Sequence, residues 1–209
     1  MSTHEFFFIH NYKVMGTTIY EQLPNSYKKL LYGKRTLKDV IEKNPGLKLK
    51  LPPGMNLNEK ISIDHLHIDT IIEMEFIKKP INEIKFIMIM REPIERFISI
   101  CNYHYTDGGG AFREVTTLTE HISNLKNKIG DNFYQCKWIK NKNNINVNLF
   151  KIENKEGIKK FFKQFGINLN FNKHYNISKK KYSIKDISPE NMVFLKKHFK
   201  EDYDLYNSI

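Results

Sequence analysis

The stretch "KFIMIM" at 85–90 is apolar from its second residue to its last. A run this short cannot cross a bilayer, and its lack of polar alternation excludes a strand with one wet face. It reads as a strand buried on both sides, which requires layers of other structure above and below it, as in a parallel sheet covered by helices. Directly after it the period changes. Ile94, Phe97, Ile98 and Cys101 fall at i, i+3, i+4 and i+7 behind Pro93, the pattern of an amphipathic helix with proline in its first turn.

The amino terminus repeats the arrangement. Residues 5–10, containing "FFFI", read as a buried strand, and Thr17 to Leu31 as the helix that follows. "NPGLKLKLPPGMN" is a punctuated loop with room for a short strand at "LKLKL", and "KISIDHLHI" reads as a strand. "TDGGG" ends the helix that starts at Pro93. Helical patterns follow at 117–128 and 131–141, then a strand "INVNLF", a helix over 154–165, a basic loop "NKHYNISKKKY" and a last helix from Ser188-Pro189-Glu190. Strands alternating with helices argue for an α/β layered fold, a mainly parallel central sheet flanked by helices. No repeat or linker divides the chain, so one domain is expected over 1–209.

Composition supports a packed chain, with 40% hydrophobic and 13% aromatic residues. The formal charge of +11 points to an anionic partner: a nucleotide, a polyanionic glycan, nucleic acid or a membrane surface. Cys101 and Cys136 form no C-x-x-C pair, which argues against a structural zinc or a disulfide framework and fits a reducing compartment. No signal segment is visible, and no apolar run approaches the roughly 18 residues of a membrane span, so a soluble, cytoplasmic protein is expected.

Two stretches carry chemistry. "FFFIHNYKVMGTTIY" leaves a buried strand for a loop holding Lys13, Gly16, Thr17 and Thr18. Glycine allows close backbone approach, the threonines place hydroxyls and amides at a helix start, and Lys13 adds a positive charge, which together make a phosphate cradle. Ordinary capping by Thr17 beside a solvated Lys13 is the competing account. The G-x-x-x-x-G-K-[ST] pattern is absent, and "GKR" at 33–35 lacks its first glycine and its hydroxyl residue, so an ATPase of that type is excluded. The second stretch, "FIMIMREPIERFISI", puts Arg91 at a strand end and Ser99 eight residues later. Helical register sets Arg96, Ser99 and Tyr103 on a different face from the apolar stripe, so Arg91 and Ser99 can approach one anion from two directions. An arginine fork suits a phosphate, and a hydroxyl completes the contact. A surface ion-pair cluster of Arg91 with Glu92 and Glu95 is the plainer account of the same letters.

Taken together, these stretches resemble the sulfotransferases that use 3′-phosphoadenosine-5′-phosphosulfate (PAPS). The similarity is to the carbohydrate branch of the heparan sulfate 2-O-sulfotransferase type. "IHNYKVMGTTI" resembles the family's 5′-phosphosulfate loop, "IMREPIERFIS" its 3′-phosphate motif, and "EDYDLYNSI" its acidic-aromatic tail. Where the family has Pro-Lys-Thr-Gly, this chain has Tyr12-Lys13-Val14-Met15. The resemblance implies a P-loop-NTPase-like sulfotransferase fold and transfer of a sulfuryl group from PAPS to an acceptor hydroxyl, on a carbohydrate. The product nucleotide is PAP, and neither metal nor nucleic acid takes part. In that reading Lys13, Gly16, Thr17 and Thr18 hold the 5′-phosphosulfate, with Lys13 also neutralising the leaving phosphate, while Arg91 and Ser99 hold the 3′-phosphate. Lys180, within Lys179-Lys180-Lys181, closes over the nucleotide or belongs to a solvated charge run.

The acceptor hydroxyl must lose a proton, which calls for a neutral histidine or a carboxylate. His65 and His67 lie two apart on the expected strand, hence on one face. A similar His-x-His precedes the arginine motif in the 2-O-sulfotransferase-like enzymes, so His67 is expected as the base and His65 as its helper. The same letters fit a second class. His65-x-His67-x-Asp69 approximates the H-x-H-x-D-H run of zinc-dependent metallo-β-lactamase-like hydrolases, with Thr70 in place of the last histidine and without that fold's glycine-rich strands. A non-catalytic polyanion-binding module would use the +11 charge and leave the spacing of the two motifs unexplained. Purely structural histidines are the plainest alternative at this pair.

Overall fold

The computed structural model describes residues 5–25, 27, 35–43, 50, 60–61, 66–75, 77, 79–107, 117–127, 134–140, 145–172 and 181–209. The apolar run is strand β4 (Lys85–Met90). It is the middle strand of a three-stranded sheet, between β1 (Phe6–Ile9) and β5 (Val147–Lys151). Both pairings are parallel, with Phe6 opposite Lys85 and Met90 opposite Lys151. A central strand has no wet face, which is why Phe86 to Met90 are all buried. A second, antiparallel pair joins β2 (Arg35–Thr36) to β3 (Lys60–Ile61).

An edge strand must satisfy its outward backbone groups. On β1 two tyrosines do this at Phe8, whose N–H donates to the Tyr27 hydroxyl at 2.8 Å and whose carbonyl accepts from the Tyr20 hydroxyl at 3.4 Å. The rings of those tyrosines pack at the same place. Phe6 stacks on Tyr27 at 5.1 Å, Phe8 meets Tyr20 at 5.3 Å, and Phe162 contacts both phenylalanines edge-on.

The helices with described bounds are α1 (Gly16–Tyr20), α2 (Leu37–Lys43), α3 (Ile68–Glu73), α4 (Pro93–Asp107), α5 (Leu118–Lys126), α6 (Lys155–Lys163), α7 (Pro189–His198) and α8 (Lys200–Asn207). Local chemistry starts several of them. Thr117 and Glu120 form a reciprocal capping box on α5, Asn154 accepts the Gly157 N–H on α6, and Ser188 caps α7 ahead of Pro189. The hydrophobic interior has two parts. One surrounds the sheet and takes in Ile68, Ile71, Trp138 and the α6 residues Ile158, Phe161 and Phe162. The other is helical, with Ile94, Phe97, Ile98 and Cys101 of α4 packed on α5, α7 and Phe199, as the stripe on α4 predicts.

The mixed α/β class and the small parallel sheet flanked by helices agree with the sequence reading, while several elements differ. Of the helix expected from Thr17 to Leu31, α1 is a separate five-residue piece, the chain turns at Glu21 to Leu23 before Pro24, Asn25 and Tyr27 are again helical, and residues 26 and 28–31 lie outside the described residues. Proline carries no N–H and cannot prolong the preceding turns. Of "KISIDHLHI", Lys60–Ile61 are strand, and residues 62–65 lie outside the described residues. His67 has extended backbone at the N-cap of α3, and Asp69 lies in that helix's first turn, so the two do not share a strand face. The burial of Ile68 and Ile71, three apart, shows the helical period that won there. Over the expected helix 131–141 the described residues form one 3₁₀ turn, Cys136–Trp138. The last helix is two, broken at Phe199, whose ring is buried in the helical cluster. "LKLKL" lies outside the described residues except for Lys50, whose N–H donates to the Met74 carbonyl at 3.1 Å. Among the described residues no helix is long and apolar enough to cross a membrane.

The role of Phe8 is measurable. Phe8→Ala removes a fully buried ring packed against His10, Tyr20 and Phe162 and should cost about 3–5 kcal/mol in urea unfolding. Val193→Ala, at a position 69% exposed, should stay within about 0.5 kcal/mol of the parent. A Phe8 variant as stable as the Val193 variant would refute this account of the edge.

Candidate functional site

Parallel pairing sends the loops after β1 and β4 out of the same end of the sheet, side by side. In open α/β sheets that carboxyl edge is where ligands bind. The first loop, His10 to Met15, carries Lys13, and the second, Arg91-Glu92, leads into α4.

The first loop is held in an uncommon shape. Lys13 and Met15 have φ of 63° and 55°, left-handed values that cost a non-glycine residue roughly 1–2 kcal/mol each. Val14 between them is fully buried. The Asn11 side-chain N–H donates to the Ile89 carbonyl of β4 at 3.3 Å. Arg96, itself 1% exposed, donates from Nε to the Tyr12 carbonyl at 2.8 Å. Burial lowers the Arg96 pKa to about 10 against the opposing influence of Asp202 and Tyr12. The Lys13 ammonium lies 4.4 Å from the centre of the Tyr103 ring, a cation–π contact. The α4 face bearing Arg96, Ser99 and Tyr103 therefore meets the first loop, and Ser99 lies between those two anchors.

Gly16 is required by packing. A Cβ there would stand 1.7 Å from Nε2 of His10, whose ring fills the room above the glycine. That ring stacks on Phe8 at 5.8 Å and meets Tyr20 at 5.0 Å. Burial pulls the His10 pKa from 6.5 down to about 3, so the imidazole is neutral. Of the neighbouring threonines, Thr17 is half-buried and Thr18 is buried, its carbonyl accepting from Gln22 Nε2 at 2.7 Å.

Arg91 stands at the mouth of the second loop. Its side chain is 29% exposed and reaches Glu95 at 3.4 Å from both Nε and a terminal nitrogen. The ion pair expected as the plainer account is therefore present with Glu95, at a distance well beyond the 2.7–2.9 Å of a strong charge-assisted bond. Glu92 is engaged elsewhere, accepting from the Glu95 N–H at 2.6 Å and from the Tyr203 hydroxyl. The Arg91 backbone is clamped by Gln135, which accepts its N–H at 3.0 Å and donates to its carbonyl at 2.7 Å.

His67 comes to the same region through an aromatic bridge. Its ring is 4.9 Å from Trp138, and Trp138 meets the Tyr12 ring edge-on at 5.7 Å. Lys13 and Arg91 thus stand on the loops after β1 and β4, Ser99 on the α4 face that meets the first loop, and His67 is linked to that loop through Trp138 and Tyr12. His65 and Lys180 lie outside the described residues. Among the described residues no group of three histidine, cysteine, aspartate or glutamate side chains is placed to hold a metal ion. The pattern assigns no role to His10, Gln135 or Asp202, and places Arg96 on a helix face without giving it one. The face assigned to Arg96, Ser99 and Tyr103 was the one usable signal.

Comparison with known proteins finds no match: no family model, no curated protein and no solved structure is similar to the chain.

Burial of His10 has a pH signature. An unfolded histidine with pKa near 6.5 takes up a proton that the folded ring refuses until about pH 3, so stability is complete above pH 6.5 and is lost as pH falls through that window. The slope from this one group is up to about 1.4 kcal/mol per pH unit. His10→Phe should flatten the fall in urea-unfolding stability between pH 7 and about pH 5 by a large part of that slope. Parallel curves for variant and parent would show that His10 titrates normally.

Proposed function

We propose that the chain is a sulfotransferase of P-loop-like architecture that moves a sulfuryl group from PAPS to an acceptor hydroxyl on a carbohydrate. The observation that carries this reading is the placement of Lys13 and Arg91 on adjacent loops at one end of a parallel sheet. Two cations so spaced suit a ligand with anionic groups at two points, as in a nucleotide with 5′ and 3′ phosphates. Arg91 is loosely held: a partly exposed pair at 3.4 Å contributes little, so a phosphate displaces Glu95 at small cost.

The chain's own groups then divide the work. Lys13 and the amides and hydroxyls of Gly16 to Thr18 bind the 5′ end, and Arg91 with Ser99 binds the 3′-phosphate. The donor supplies an activated sulfuryl group on a stable leaving phosphate. Lys13 offsets the charge gathering on that phosphate, where a preorganised cation helps most. His67, half-buried against Trp138, accepts the proton of the attacking hydroxyl. The net charge of +11 favours an anionic donor and an anionic glycan acceptor alike.

Adenosine 3′,5′-bisphosphate should raise the melting temperature and 5′-AMP much less, since a ligand at a hundredfold excess over its Kd adds about 2.7 kcal/mol. Arg91→Ala should remove the difference between the two. Equal shifts in the parent protein would end the assignment of Arg91.

His67→Ala should lower transfer by about 10²–10⁴-fold while leaving nucleotide binding intact, and Asp69→Ala should be mild. Zinc near one per purified chain, with Asp69→Ala as damaging as His67→Ala, would instead favour metal-dependent hydrolysis.

A further inference from the structure

The most deeply buried polar groups among the described residues lie beneath the candidate site. Asp202 of α8 is 1% exposed, and its two carboxylate oxygens accept the N–H groups of Gln135 and Cys136, each at 2.8 Å. Gln135, fully buried, is the residue that clamps the Arg91 backbone through both its amide atoms. Arg96 holds the Tyr12 carbonyl. An aspartate carboxylate accepting two backbone N–H groups in an apolar interior is costly to disrupt, because removing it strands both donors.

We propose that Asp202 is a positioning residue for both loops of the candidate site: through Gln135 it fixes the exit of β4 at Arg91, and through the 3₁₀ turn that carries Trp138 it fixes the first loop at Tyr12. The C-terminal helix α8 thereby sets the separation of Lys13 and Arg91. The contacts run from the carboxylate to the 135–136 backbone, from the Gln135 side chain to Arg91, and from Trp138 of the same turn to the Tyr12 ring. Asp202's charge also offsets part of the cost of burying the guanidinium, so the negative and positive groups support one another in the interior. Trp138, two residues beyond Cys136 in the same 3₁₀ turn, packs on the Tyr12 ring, so the turn that Asp202 holds touches the first loop directly. The inference rests on the sulfotransferase reading only where a nucleotide is used as probe.

The test uses Asp202→Asn, which keeps size and loses charge, with Asp202→Glu as the conservative rescue. Amide hydrogen exchange of the full chain should show Arg91, Gln135 and Cys136 losing at least about tenfold more protection in Asp202→Asn than the amides of α6. Emission of Trp138, the one tryptophan of the chain, should move to longer wavelength and become quenchable by acrylamide. The Kd for adenosine 3′,5′-bisphosphate, measured well below the melting temperature, should rise about tenfold or more, equivalent to losing one charged hydrogen bond. Asp202→Glu should recover part of each change. Protection lost equally at α6, or unchanged Trp138 emission, would overturn the proposal. Should Asp202→Asn fail to fold, the parent protein decides: the amides of Arg91, Gln135 and Cys136 should open together with those of α8, and independent opening refutes the link. If the parent binds no adenosine 3′,5′-bisphosphate, the sulfuryl-transfer reading fails while exchange and emission still judge the role of Asp202.

Discussion

Parallel pairing of β1 with β4 is the constraint on which the rest of the structure depends. It places Ile9 opposite Met88, so the two chains leave the sheet in one direction about two residues apart in register. A connection between parallel strands cannot be a hairpin and must cross the sheet, which is why nearly eighty residues separate the two loops in sequence while they are neighbours in space. Antiparallel pairing would send the loops to opposite ends. Burial of β4 on both faces follows from its central position, and that burial in turn demands the helices α1, α3 and α6 that cover the sheet.

What the sequence discloses about this fold follows the strength of the local signal. The continuous apolar run of β4 and the i, i+3, i+4, i+7 stripe of α4 admit one reading each, and both elements stand where that reading puts them. The capped starts of α5, α6 and α7 are similarly explicit, since Thr117, Asn154 and Ser188 each leave a side-chain oxygen for a free N–H. Failures came where tertiary contacts outbid local pattern. Over 131–141 the described residues hold one 3₁₀ turn, Cys136–Trp138, and Asp202 accepts the N–H groups of Gln135 and Cys136 at its start, a cap supplied from far along the chain that no local pattern records. At "DHLHID" the alternation suggested a strand, whereas the burial of Ile68 and Ile71 against the sheet made the segment after His67 helical. Motif and register single out Lys13, Gly16, Arg91 and Ser99, which the structure places on the segments that follow β1 and β4. The groups that hold them are not singled out, because Asp202 and Gln135 act through backbone atoms at positions 67 residues apart, and no short pattern records such a contact.

Strain in the first loop needs an equal and opposite set of contacts. Two left-handed non-glycine residues together cost a few kcal/mol. Against this stand the complete burial of Val14, the Asn11 bond to β4 and the Arg96 bond to Tyr12. Hydrophobic burial of one valine is worth about 1.5–3 kcal/mol and a charged hydrogen bond about 1.5–3 kcal/mol, so the contacts suffice to hold the shape. The consequence for Lys13 is orientation: a residue with φ of 63° directs its side chain away from the path of a regular strand, here over the Tyr103 ring.

Arg91 and Arg96, five residues apart, show how one helix start serves two purposes. Arg96 is buried, donates at 2.8 Å to a carbonyl and has a carboxylate nearby in the interior. Removing it would leave the Tyr12 carbonyl and Asp202 without their positive neighbour, a loss larger than that of any surface pair. Arg91 is partly exposed and meets Glu95 at 3.4 Å, where solvent screens the charges and the partner is easily replaced. Electrostatics therefore assigns them different roles: the desolvated guanidinium fixes geometry because its bonds are expensive to break, and the hydrated one remains exchangeable because its bonds are not. On the proposed nucleotide reading, a phosphate would compete with Glu95 for Arg91, whereas the buried Arg96 is out of its reach.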